Sequence, residues 1–122
     1  MRIMEEKMYK ITKANESYKY EAPGHFDVRT TRLHDAGDVE GQITLGLSHF
    51  LPGGGAEMGS VPKELIYYII EGEMTVTTDD GVSTVLHKGD SIHFGPNQGR
   101  ASKNTGITAA QMLVVACPPK AE

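Results

Sequence analysis

The chain has 122 residues, 39% of them hydrophobic and 23% charged, with a formal charge of −4, which is the profile of one soluble globular domain with one modest core. An acidic chain without a basic run is a poor partner for nucleic acid or an anionic membrane, and its longest apolar run, Leu65 to Ile70, falls far short of the roughly 20 residues of a membrane span. The charged start, Met1 to Lys7, lacks the apolar stretch of a secretion signal, and the lone Cys117 has no partner for an intrachain disulfide, so a cytoplasmic, reducing location is expected and Cys117 reads as an inert thiol.

In chain order, residues 1–20 are polar and read as an N-terminal arm or edge strand. Asp27 to His34 is the only helical candidate, and it is β-rich enough to be a strand. Gln42 to Leu51 alternates, with Ile43, Leu45, Leu47, His49 and Leu51 on one face and Thr44, Gly46, Ser48 and Phe50 on the other. Pro52-Gly53-Gly54-Gly55 is expected to end it as a corner. Leu65 to Ile70 is an apolar, aromatic strand closed by Glu71-Gly72-Glu73. Met74 to Thr78 and Val82 to Leu86 flank Asp80-Gly81, a strong hairpin signal. Ser91 to Phe94, Ala101 to Lys103 and Thr108 to Ala116 complete the series, and Pro118-Pro119 ends it. Short strands separated by glycine- and proline-rich turns predict an all-β barrel or sandwich in a single domain, 1–122, with its core over 42–116.

Two stretches carry a resemblance. The first is Pro52-Gly53-Gly54 followed by Glu64-Leu65-Ile66-Tyr67-Tyr68-Ile69-Ile70-Glu71-Gly72-Glu73. The second is Lys88-Gly89-Asp90-Ser91-Ile92-His93-Phe94-Gly95-Pro96 followed by Asn104-Thr105-Gly106. In this order and spacing they resemble the paired motifs of the cupins. That resemblance implies a double-stranded antiparallel β-helix, or jelly-roll barrel, commonly a homodimer, with a pocket inside the barrel. Tyr18, Tyr20 and Phe26 are expected to cover a sheet edge in such a dimer.

Metal-binding cupins hold their ion with two His, one Glu and a third His. By resemblance, the Glu position falls here on Leu65, and the paired His positions fall within Glu57 to Val61, where there is none. The last His position falls on Arg100. Glu64 is one residue off and alternates to the other face. No cofactor is therefore expected. A divalent metal on a displaced set, His49, Glu57 and His93, is the minority alternative.

The candidate site follows from these positions. Arg100, in place of a ligand histidine, is expected to point inward and grip an anionic group, since a guanidinium only donates. His49, on the more apolar face of its strand, is expected to look into the barrel as an acid/base, helped by Tyr67 or Glu57. Met58, Leu65 and Ser102 are expected to contact the ligand. Three readings stand open. One is a metal-independent isomerase, decarboxylase or hydrolase acting on a small organic acid. Another is a non-catalytic module that binds or senses a small molecule. The third is a metal-dependent dioxygenase or isomerase.

Overall fold

A computed structural model describes residues 8–118. After a single 3-10 turn at Ala14–Glu16, the described chain is built of strands: β1 (Tyr18–Tyr20), β2 (His25–His34), β3 (Thr44–Gly59), β4 (Glu64–Glu71), β5 (Glu73–Thr78), β6 (Ser83–His87), β7 (Ser91–Phe94), β8 (Arg100–Lys103) and β9 (Ala110–Cys117). Every pairing is antiparallel, in the order β6-β5-β8-β3-β9-β4-β7, with β2 also on β3 and β1 on β2. The result is the nearly closed jelly-roll barrel that the paired motifs imply.

Alternation decides what fills it. On β4, Leu65, Tyr67 and Ile69 are buried, while Ile66 and Tyr68 face out. They pack with Phe50, Met74, Val76, Phe94 and Met112 in one contiguous core, where the Tyr67 and Phe94 rings meet edge to face at 5.0 Å. Asn104 is 1% exposed. Its amide donates to the carbonyls of Phe50 and Thr108, and its side-chain oxygen accepts from Gly106 N–H. The Asn-Thr-Gly motif is thus a clamp that fixes the β8–β9 turn against β3.

Two expectations about elements are narrowed and one changes. The segment from Asp27 to His34 lies wholly in a strand. Of the polar start, only Tyr18–Tyr20 is an edge strand, and residues 1–7 lie outside the described residues. Pro52 to Gly55 does not end its strand: β3 continues to Gly59, pairing first with β2 and β9 and then with β8. The glycines permit this crossing because a Cβ on Gly54 would stand 2.2 Å from the Asp27 carbonyl oxygen.

At the far end of the barrel, Glu73 accepts from the Thr105 hydroxyl and faces His87, and these contacts hold its carboxyl below the usual range. A carboxyl that is more acidic in the folded chain stabilises it above its unfolded pKa and loses that contribution as pH falls through the lowered folded value. Glu73→Gln should therefore melt closer to the native protein at about pH 3 than at about pH 6. Thermal melts at both pH values check this, and an equal gap at the two would refute the assignment.

Candidate functional site

The inward face of one end of the barrel is small and polar rather than apolar. Gly46 and Ser48 of β3 are buried there, and with Thr44 they form part of the wall of a cavity of about 550 Å³. That volume is typical of sites that bury a small organic ligand. Tyr67, Leu65, Ser102, Arg100, Glu57 and Met58 all line it.

Arg100 stands at the start of β8, opposite Gly59. Its Nε–H donates to the Tyr67 hydroxyl oxygen at 3.2 Å, and Nη1 donates to the Gly59 carbonyl at 2.8 Å. Among the described residues no carboxylate pairs with it. Glu64, one candidate partner, turns to His93 on the outer surface instead. Because the Tyr67 oxygen accepts from a cation, its own O–H is left to donate elsewhere.

Glu57 and Met58 reach the cavity through an irregularity in the strand. Ala56 pairs with Ser102 and Gly59 with Arg100, so three steps along β3 match two along β8. That extra residue is a bulge, which re-aims side chains that strict alternation would alternate in and out. The Glu57 backbone N–H donates to the Gly24 carbonyl at 2.9 Å, tying the bulge to the β1–β2 connection. Its carboxylate makes no ion pair with the described residues.

His49 is not in the cavity. It lies on the outer face with Leu45, Leu47 and Leu51, while Gly46, Ser48 and Phe50 face in. The expectation of an inward His49 is corrected. The apolar side of this strand is the outside of the barrel, since the inside lines a polar cavity. The Nδ1 atom of His49 is buried without a hydrogen-bond partner among the described residues.

Other residues were missed by sequence reasoning. Tyr20, His25, Arg32, Ser48 and Lys63 also line the cavity. Arg32 sits with its guanidinium carbon 4.3 Å from the Tyr20 ring centroid and its Nε 3.7 Å from Asp35. Arg32, Lys63 and Arg100 thus bring three fixed cations, against the single carboxylate of Glu57, to the cavity wall of a chain whose net charge is −4. The local sign opposes the global one and favours an oxygen-rich or anionic ligand.

The donor set does not fit the ion of metal-binding cupins. Of the cavity's side chains only His25 and Glu57 are ligand types, and His25 Nδ1 lies 3.0 Å from the Pro23 carbonyl. No group of three or more His, Cys, Asp and Glu among the described residues could hold a metal ion. The displaced set is not assembled either. His49 and His93 are on the outer face, His93 against Glu64, whereas Glu57 is at the cavity.

Comparisons with known proteins agree with this architecture. The family model described as the cupin domain matches residues 46–116. A curated Mycobacterium tuberculosis protein named β-D-galactosidase is 38% identical over 115 residues, covering 93% of this chain and 97% of its own. The polyketide cyclase RemF of Streptomyces resistomycificus superposes with a TM-score of 0.77 at 20% identity, over 90% of this chain and 80% of that one. An RmlC-like cupin from Shewanella frigidimarina gives 0.71 at 18% identity, over 92% and 93%. No helix among the described residues is long and apolar enough to cross a membrane.

Proposed function

This chain belongs to the cupin family, and we propose that its barrel cavity is a metal-independent glycoside site that hydrolyses a β-galactoside-type bond. The observation that carries this reading is the Arg100 guanidinium in the cavity, without a carboxylate partner among the described residues and bonded to Tyr67. Oxygen-bearing ligands match such a fixed donor. The mycobacterial relative's name supports a glycoside as the ligand class.

In the proposed reaction Glu57 takes a proton from a water molecule, whose oxygen forms a bond to the anomeric carbon. The glycosidic C–O bond breaks, its electron pair goes to the leaving oxygen, and Tyr67 supplies that oxygen with a proton. Arg100, already donating to the Tyr67 oxygen, balances the resulting phenolate. The proton on Glu57 returns to Tyr67 through solvent, so water is the only co-reactant. Ser48 and Ser102 are buried residues of the cavity wall, and their hydroxyls can hydrogen-bond the sugar.

A second reading, a non-catalytic sugar-binding module, is favoured by one observation. Most glycoside hydrolases use two carboxyl groups, and a single one lines this cavity. An assay of the purified protein on β-galactosides, with and without a chelator, separates these readings. Turnover that the chelator leaves unchanged is expected. Binding without turnover would establish the module, and turnover lost to the chelator and restored by a divalent ion would end the metal-independent scheme.

A further inference from the structure

Four inward-facing residues stand side by side on neighbouring strands. Tyr67 of β4 pairs with Val114 of β9, Val114 with Gly46 of β3, and Gly46 with Arg32 of β2. Three interstrand spacings separate the ends of this row, about 14 Å along the sheet. All four residues line the cavity. The site is therefore two-ended, with Tyr67 and Arg100 at one end, Arg32 and Tyr20 at the other, and a low floor of Gly46 and Val114 between them. A larger residue would crowd this floor, since a Cβ on Gly46 would lie 3.3 Å from the Tyr20 hydroxyl.

The two arginines differ chemically. Arg100 has no counter-ion among the described residues. Arg32 has Asp35 at 3.7 Å, and Asp35 is itself held by the Tyr18 hydroxyl at 2.7 Å. The guanidinium of Arg32 makes no hydrogen bond to a described residue, so its N–H groups remain available while Asp35 offsets part of its charge. It also lies over the Tyr20 ring, which restricts its movement. A partly balanced, restrained cluster of donors suits the hydroxyl groups of a neutral ring better than an anion.

We propose that Arg32 and Tyr20 form a second subsite, which binds the neutral leaving-group sugar of a two-ring galactoside while the reacting ring sits at Arg100 and Tyr67. The inference rests on the glycoside reading above and adds the length of the substrate. It also gives β1 a function: this three-residue strand carries Tyr20 into the cavity, and Tyr18 anchors the Asp35 that faces Arg32.

The test compares methyl β-D-galactoside with a β-galactosyl-glucose disaccharide, by hydrolysis and by calorimetric binding, in the native protein and in Arg32→Ala. Arg32→Met, which keeps the stem over Tyr20 and removes the donors, serves if the alanine variant does not fold. The expected result is a loss of at least about tenfold in kcat/KM and affinity for the disaccharide, with the methyl glycoside within about twofold of native. Equal losses on both sugars, or none on either, overturn the subsite. So does native protein that binds the disaccharide no better than the methyl glycoside. If the disaccharide binds in an Arg32-dependent way but is not cleaved, the subsite holds and the hydrolytic reading fails. If neither sugar binds, both fail.

Discussion

Glu57→Gln should lower turnover of a bound galactoside by about 100- to 10,000-fold, the usual cost of removing a positioned acid or base. Substrate affinity should stay within a few-fold. The substitution keeps the size of the side chain and its place at the bulge between Ala56 and Gly59, where the backbone N–H to Gly24 is untouched. Only the capacity to accept a proton from water is lost. Arg100→Ala should lower both turnover and affinity. It removes a charged donor from a half-buried position, so affinity should fall by about 30-fold or more, and it takes the counter-charge from the Tyr67 phenolate, so turnover should fall as well. Steady-state kinetics on both variants, with calorimetry for binding, would show this difference in kcat and KM. Two variants that lose affinity alike and keep kcat would make Glu57 a binding group and leave the protein without a base.

The fold was legible because its signals are local and repeated. Leu65, Tyr67 and Ile69 alternate with outward residues over a whole strand, and the turns that follow carry glycine where a positive φ is needed, as at Gly72 and Gly81. Arg100 was legible only through the resemblance, by the histidine whose position it takes. His49 was misread for a physical reason. The rule that the apolar face is the inner face assumes a filled interior, and at Gly46 and Ser48 the interior is a polar cavity. The leucines of that strand are then outside: Leu45 shares a groove with Met8 and Tyr9 of the N-terminal segment, and Leu51 is exposed. Tyr20 and Arg32 carry no local signature at all. They come together, and meet the cavity, only once β1 pairs with β2 and Arg32 aligns with Gly46. The bulge that turns Glu57 and Met58 into the cavity likewise depends on the register with β8, which no short window of sequence specifies.

Gly55→Ala should be the most damaging single-methyl change in the barrel. The added Cβ would stand 2.0 Å from the Ser102 carbonyl oxygen and 2.9 Å from the Lys103 Cα. Both are backbone atoms of β8, so no side chain can swing aside. Relief requires β3 and β8 to part where Gly55 pairs with Lys103 and Ala56 with Ser102. We expect a loss of about 3 kcal/mol or more, the upper range for overpacking, and a melting temperature lower by roughly 10 °C or more. Gly53→Ala is the contrast. Its Cβ meets nothing within 4 Å, and its φ of +84° costs only the left-handed strain of an ordinary residue, about 1–2 kcal/mol. The two neighbours in one glycine run therefore separate close approach from backbone conformation. The same β3–β8 pairing places Arg100 across from the Glu57 bulge, so Gly55→Ala should lose ligand binding at temperatures where much of the chain is still folded. A Gly55→Ala protein that melts with the native one would mean that β3 does not cross β8 here, and the cavity wall would have to be redrawn.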